Sequence, residues 1–150
     1  MYRTRIKHAL SCVLCVVLLA AAAPSMTGCR NSQSPGPQPQ LYTQSDTPHT
    51  LGEGQVTFPF SVTDLAGNEV AFEISTNETL VGAALRSLGL IQGEEGPYGL
   101  MVSHVNGVKL DYNEDKAYWA FYIDEEYAMT GVDQTEIQSG KAYAFRATKA

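Results

Sequence analysis

The distribution of cysteine limits how this 150-residue chain can fold. All three cysteines, Cys12, Cys15 and Cys29, lie within the first 29 residues, and none follows. The rest of the chain therefore has no disulfide, no thiolate zinc site and no cysteine nucleophile available to it. Any domain after Cys29 has to be stabilised by an apolar core alone.

The N-terminal segment has the organisation of an export signal. Basic residues from Arg3 to Lys7 precede an uncharged run, residues 9–24. Its apolar part, residues 9–23, is fifteen residues long, whereas a helix needs about 20 residues to span a bilayer core. We therefore expect residues 1–28 to be a cleaved signal peptide, and we do not interpret the Cys-x-x-Cys spacing inside it as a redox motif.

The signal ends with Met26-Thr27-Gly28-Cys29, which resembles a bacterial lipobox. The resemblance implies that the Cys29 thiol receives a diacylglyceryl group and that cleavage makes Cys29 the new N-terminus. Met26 departs from the family, which usually has leucine there. An ordinary secretory signal that contains a cysteine is the alternative. We predict an extracytoplasmic protein whose lipidated N-terminus anchors it to the bacterial cell membrane.

Residues 29–52 are predicted to be a flexible tether, because "NSQSPGPQPQ" is rich in proline and glutamine and offers little to bury. Residues 53–150 then form one domain of ordinary size. This domain has fifteen acidic and six basic residues, a formal charge of −9. Nucleic acid phosphates would repel such a domain, so we expect no nucleic acid partner. The charge instead favours solubility or attraction for a cation.

Residues 56–75 predict a β-hairpin, because apolar residues alternate with polar ones on both sides of the turn Ala66-Gly67-Asn68. The apolar positions of one face are Phe58, Phe60, Val62, Val70, Phe72 and Ile74. Pro59 predicts an edge strand or the first part of one. An amphipathic helix is predicted over residues 77–88, with Thr76 as its cap and Gly89 after its end.

The rest of the chain predicts short strands. "IQGEEGPYG" reads as a loop, and Asn106-Gly107 between apolar runs favours a tight turn. A polar loop, "DYNEDK", leads to the strands "AYWAFYI" and, later, "KAYAFRA". The order of hairpin, helix, several strands and final strand is that of an α+β fold, a β-grasp-like mixed sheet with one packed amphipathic helix.

Several of these segments together resemble the transcobalamin-like C-terminal domain family. The resemblance rests on "DLAGNEVAFEIST", "NETLVGAALRSLGL", "SHVNGV", "AYWAFYIDEEYAMTGVD" and "IQSGKAYAFR", which cover about residues 56–147. It implies a β-grasp-like domain related to the smaller domain of vertebrate cobalamin carriers. Those carriers also have a large helical domain, so the resemblance implies cobalamin, or another tetrapyrrole, bound at a half-site.

Aromatic residues are the first candidate site. Alternation along the strand places Trp119 and Phe121 on one face and two tyrosines on the other. The candidate ligand-binding residues are Tyr98, Tyr118, Trp119, Tyr122 and Tyr127. Aromatic rings with polar tips suit a planar ligand. The alternative is that both faces are covered and the tyrosine hydroxyls simply lie in water.

A second candidate is the acidic loop. Asp111, Asn113 and Asp115 form D-x-N-x-D, the opening of a calcium loop. The pattern then fails, because its sixth position is Lys116 instead of glycine and its twelfth is Tyr122 instead of glutamate. The segment is therefore either a calcium-binding loop or an ordinary polar loop.

No catalytic motif is present in the sequence, and the single histidine of the domain, His104, favours a structural role. We therefore expect a lipoprotein that binds a small ligand and is not an enzyme. The alternatives are a non-catalytic surface adhesion or protein-interaction module and a divalent-cation-binding module. Surface or transport proteins are the expected protein partners.

Overall fold

The computed structural model describes residues 39–150. The predicted signal peptide, residues 1–28, and the predicted lipidation site, Cys29, lie outside the described residues. Within residues 39–150, no helix has the length and apolar character needed to cross a bilayer.

The fold is α+β and mostly β-sheet, in agreement with the predicted class. Its elements in chain order are β1 (His49–Gly52), β2 (Val56–Thr63), β3 (Glu69–Thr76), α1 (Val81–Ser87), β4 (Ile91–Gly96), β5 (Gly99–Val105), β6 (Val108–Lys109), α2 (Tyr112–Asp115), β7 (Ala117–Ile123), β8 (Glu126–Tyr127), a 3₁₀ turn (Val132–Gln134) and β9 (Tyr143–Lys149). One sheet has the strand order β1-β3-β2-β9-β7-β8, and a second has the order β4-β5-β6.

The predicted hairpin is confirmed as β2 and β3, which pair antiparallel along their whole length. In the turn, the Asp64 carboxylate accepts hydrogen bonds from the backbone N–H groups of Ala66, at 2.8 Å, and Asn68, at 2.9 Å. The Asn68 side chain and backbone together hold the pKa of Asp64 below its ordinary value. The turn is therefore fixed by the short side chain that opens it.

The core lies on one face of the six-stranded sheet. Its aromatic members come from β2, β3, β7 and β9, and they are Phe58, Phe60, Phe72, Trp119, Phe121, Tyr143 and Phe145. The Phe121 and Phe145 ring centroids are 5.2 Å apart, and those of Phe60 and Phe72 are 5.7 Å apart. Trp119 and Phe121 are both buried, as the alternation along this strand predicted.

Pro59 predicted an edge strand or the first part of one, and the second alternative fits the structure. β2 lies inside the sheet, between β3 and β9. However, β9 pairs with β2 only from Phe60 onward. Pro59 therefore precedes the part of β2 that is paired on both sides, where a missing N–H is tolerated.

Helix α1 is shorter than the predicted residues 77–88. Thr76 Oγ1 accepts the Glu78 N–H at 3.0 Å and so caps a turn instead of the helix. Leu80 is still extended and forms an isolated antiparallel bridge with Glu136. Because Leu80 takes part in this bridge, the helix begins only at Val81.

The predicted loop "IQGEEGPYG" is also wrong, because its first six residues form β4, which pairs with β5. The glycines in this segment favoured a loop over a strand in the sequence. The pairing with β5 shifts in register between Gln92 and Gly93. The tight turn at Asn106-Gly107 is confirmed, with φ values of 49° and 74°.

Of the predicted flexible tether, residues 29–52, the structure describes residues 39–52, and this part includes an ordered strand. His49–Gly52 form β1, which pairs parallel with β3. Further upstream, Asn106 Oδ1 accepts the Tyr42 N–H and Asn106 Nδ2 donates to the Tyr42 carbonyl, both at 2.9 Å. The Tyr42 ring also packs edge-on against Phe72, with centroids 5.4 Å apart. We call this two-bond contact the Asn106 clamp.

Candidate functional site

A groove of about 740 Å³ lies between the three-stranded sheet and the segment formed by α2, β7 and β8. We call it the tyrosine groove. Its lining residues are Glu94, Met101, Val102, Ser103, His104, Lys109, Leu110, Asp111, Tyr112, Asn113, Ala117, Tyr118 and Tyr127. The groove therefore combines three tyrosines with both acidic and basic side chains.

The structure brings predicted residues from both candidate sites into this groove. Tyr118 comes from β7 and Tyr127 from β8, while Asp111 and Asn113 lie at the start of α2. Tyr127 is 56% exposed and contributes to the groove mouth. The other predicted members of these sets lie elsewhere.

The D-x-N-x-D sequence forms a helix cap. Asp111 Oδ1 accepts the N–H groups of Asn113, at 2.8 Å, and Glu114, at 3.2 Å. These two hydrogen bonds, and then the charges of Lys109 and Lys116, hold the pKa of Asp111 below its ordinary value. One oxygen of the Asp111 carboxylate, Oδ1, therefore already serves the start of the helix.

Asp115 has an equivalent local role, since its Oδ2 accepts the Asp111 N–H at 2.7 Å. The reciprocal bonds resemble a capping box, in which two short polar side chains satisfy the first N–H groups of a helix. Across residues 39–150, no three histidine, cysteine, aspartate or glutamate side chains converge closely enough to hold a metal ion. The predicted calcium ligands thus have a structural explanation.

Two acidic residues between β7 and β8, Asp124 and Glu125, also have local partners. Asp124 binds the Lys141 ammonium at 2.5 Å and the Ala142 N–H at 2.9 Å. Lys141 first and Ala142 second hold the pKa of Asp124 below its ordinary value. Glu125 pairs with Arg146. These residues fix the β7–β8 turn.

Two of the predicted tyrosines lie outside the tyrosine groove. Tyr98, in the β4–β5 turn, is 93% exposed. Tyr122 packs against Tyr127, with ring centroids 5.7 Å apart, and the Arg146 guanidinium lies 4.6 Å from its ring centroid. Tyr122 therefore contacts Tyr127 from outside the groove.

Trp119 is 6% exposed and belongs to the core. It also forms part of the wall of a smaller groove of about 340 Å³, which we call the tryptophan groove. The residues of this groove are Leu100, Val102, Trp119, Phe121, Tyr127, Ala128, Met129, Thr130, Gly131, Val132 and Phe145. Trp119 Nε1 is buried and has no hydrogen-bond partner among residues 39–150.

Sequence reasoning missed several residues of the tyrosine groove. His104, whose Nδ1 lies 2.9 Å from Ser103 Oγ, was expected to have only a structural role. Met101 and Tyr112 were not singled out, although both are large and exposed. The alternation within β5 was a signal for a strand. The surface that β5 faces across the groove belongs to the other sheet, however, and nothing in the local sequence indicates that surface.

Comparison with known proteins gives a family of undefined role and two similar structures. A family model described as a domain of unknown function, DUF4430, matches residues 77–148. No curated protein matches the sequence. A protein from Ruminococcus gnavus ATCC 29149, for which metal binding has been suggested, is 26% identical with a TM-score of 0.61, over 64% of this chain and 99% of that one.

Haptocorrin in complex with Cbi is the second similar structure. It is 15% identical with a TM-score of 0.50, over 66% of this chain and 27% of haptocorrin. At this identity the likeness concerns the fold alone. Together, the comparisons support a transcobalamin-like fold.

Proposed function

We propose that the tyrosine groove binds a small ligand with a large planar body, and that a corrinoid such as cobalamin is the first candidate. The observation that carries this proposal is the convergence of Tyr112, Tyr118 and Tyr127 on one groove of about 740 Å³. This volume lies within the range of about 300–1,000 Å³ that is usual for ligand pockets.

The chemistry of the groove suits such a ligand. Tyrosine rings provide apolar area, and their hydroxyls provide directional polar contacts. Met101 adds a flexible, polarisable side chain at the exposed part of the lining. Lys109 and His104 provide nitrogen atoms that can donate to the amide oxygens of a corrinoid.

The similar structures support the proposal in general terms. Haptocorrin was solved with a bound ligand, Cbi, and this chain matches 27% of its length. A domain of this extent would supply one wall of a site, so we propose that a second protein completes it. The parallel pairing of β2 with β9, which brings the first hairpin beside the last strand, supports a β-grasp-like arrangement.

The cellular setting belongs to the same proposal. We propose a non-catalytic domain held at the outer surface of a membrane by lipidated Cys29. The lipobox-like Met26-Thr27-Gly28-Cys29 supports the anchor. A surface or transport protein would then be the partner that completes the site.

Titration of the full-length protein with cyanocobalamin tests the proposal, with the emission of Trp119, the one tryptophan of the chain, as the signal. Tyr118→Ala and Tyr127→Ala are expected to weaken binding about tenfold each, as loss of aromatic contact does. Tyr98→Ala is the matched control and should bind like the parent. Equal binding by all three variants would remove the tyrosine groove as the site, and no response from the parent would remove the corrinoid.

A divalent cation is the second candidate ligand, because metal binding has been suggested for the similar Ruminococcus gnavus protein. Asp111 and Asn113 would be the ligands at the groove. Millimolar calcium should then raise the melting temperature, as any ligand selective for the native state does. Identical melting curves in calcium and in chelator would dismiss calcium.

A further inference from the structure

A bulge in β5 lies where that strand lines the tyrosine groove. In the pairing of β4 with β5, Gln92 is opposite His104. The next residue, Gly93, is opposite Val102, so Ser103 has no partner on β4. Gly93 fits this position because a Cβ there would lie only 2.1 Å from a carbonyl oxygen of β5. Bulges are frequent beside functional sites, where they change the direction of a side chain.

The bulge brings the His104 ring against the Ser103 hydroxyl. Neighbouring side chains on a regular strand point to opposite faces, yet Ser103 Oγ lies 2.9 Å from His104 Nδ1. Within residues 39–150, this is the only hydrogen bond of the ring. When Nδ1 donates its proton to the serine oxygen, Nε2 carries the lone pair. This is the form of histidine that ligates a metal, and the hydrogen bond at Nδ1 selects it.

His104 is the one histidine among the residues that line the tyrosine groove, and it is half-buried there. A free metal ion needs several protein ligands, and residues 39–150 contain no group of three acidic, histidine or cysteine side chains that could hold one. A metal that a planar macrocycle already holds by its ring nitrogens needs much less, and a single histidine on its axis is enough, as in many haem proteins.

We propose that His104 Nε2 is the axial ligand of a metal that enters the tyrosine groove inside a planar macrocycle, with the cobalt of a corrinoid as the first case. This inference rests on the proposed binding of a planar ligand in that groove, and it names the atom that holds the metal. Nε2 replaces a water molecule on cobalt. A cobalt–oxygen bond breaks, a cobalt–nitrogen bond forms, the water leaves, and the oxidation state of cobalt is unchanged.

Titration of the full-length protein with diaquocobinamide tests the proposal. Cobinamide lacks the nucleotide base that occupies an axial position of cobalt in cobalamin, so both axial positions carry replaceable water. Binding should change the emission of Trp119, and the exchange of water for nitrogen should also shift the visible absorption of the cobinamide. His104→Ala should keep the emission change, at higher cobinamide concentration, and lose the absorption shift.

Two further variants separate ligation from general effects on the fold. His49→Gln is the matched control and should behave like the parent, because the His49 ring lies in β1, with Nε2 2.8 Å from the Thr43 carbonyl oxygen. Ser103→Ala should keep the absorption shift but bind about tenfold more weakly, since an outer hydrogen bond that orients a metal-ligating histidine contributes to affinity.

Electron paramagnetic resonance of the parent protein with cobinamide reduced to cobalt(II) needs no variant. An axial nitrogen should split each resolved cobalt line into a triplet. Unsplit lines, an emission change without an absorption shift in the parent, or an equal absorption shift in His104→Ala each overturn the axial ligand and leave the binding of a planar ligand in place. No response of either optical signal in the parent overturns both.

Discussion

Asn106 is predicted to hold the N-terminal segment onto the domain. The residue is 3% exposed, and its side chain makes two hydrogen bonds to the main chain of Tyr42. A typical hydrogen bond contributes about 1 kcal/mol net, so removing both should cost about 2 kcal/mol. Asn106 also has a positive φ of 49°, which asparagine tolerates better than alanine does.

Two substitutions at this position separate the hydrogen bonds from the backbone conformation. Asn106→Gly removes both bonds but accepts the positive φ, and we expect it to lower the free energy of unfolding by about 2 kcal/mol. Asn106→Ala should lower it by about 3 kcal/mol, because a left-handed conformation costs alanine about 1 kcal/mol more. Asn68→Ala, at an exposed turn, is the control and should cost less than about 1 kcal/mol.

Urea unfolding measured by far-UV circular dichroism gives these differences, provided that the m-value stays constant. Limited proteolysis gives a local measurement, since a released N-terminal segment should be cut faster between Tyr42 and His49. If Asn106→Gly changes neither the stability nor the cleavage rate, the clamp contributes nothing. If glycine is neutral and alanine is not, only the backbone conformation matters at this position.

Three further outcomes are expected. Trp119→Ala should lower the free energy of unfolding by about 3–5 kcal/mol because it removes a buried aromatic ring, whereas Tyr118→Ala on the other face should be mild; unchanged stability of Trp119→Ala in urea would show that the ring lies outside the core. The pKa of the Asp111 carboxyl, measured by NMR titration, should lie below the ordinary aspartate value. Its contribution to stability should therefore be complete above the ordinary aspartate pKa and should be lost as the pH falls through the lowered pKa. An ordinary pKa for Asp111 would contradict the helix cap. Cys29→Ala should release the protein from membranes or stall its processing, and an unaltered membrane fraction with an uncleaved N-terminus would indicate a helical anchor instead.

The sequence predicted those elements whose partners lie close in the chain. The hairpin of β2 and β3 follows from alternation around Ala66-Gly67-Asn68, and the turn at Asn106-Gly107 follows from its residue types. β4 was missed because its strand character depends on pairing with β5 and its own residues are glycine- and glutamate-rich. β1 was missed for the same reason, since polar residues there are ordered by β3.

The candidate site was predictable to a similar extent. Tyr118 was found because it belongs to the alternating aromatic segment, residues 117–123, and Tyr127 was added to it as a tyrosine that follows closely in the sequence. His104 and Met101 reach the same groove from the other sheet, and the relative placement of two sheets is a property of tertiary packing. The D-x-N-x-D residues were found from the sequence. Their role in a helix cap depends on which N–H groups donate hydrogen bonds to the two carboxylates, and only the structure gives those donors.

The position of β9 determines when this domain can fold. β9 is the last strand in the sequence, yet it lies between β2 and β7 in the middle of the six-stranded sheet. The sheet therefore forms only after the whole chain is available, and the pairing of Phe60 with Tyr143 requires closure of a loop that contains most of the domain. A chain that ends before Tyr143 would have two separate strand groups, β1-β3-β2 and β7-β8, with Phe60 and Phe121 uncovered and new edges open to aggregation.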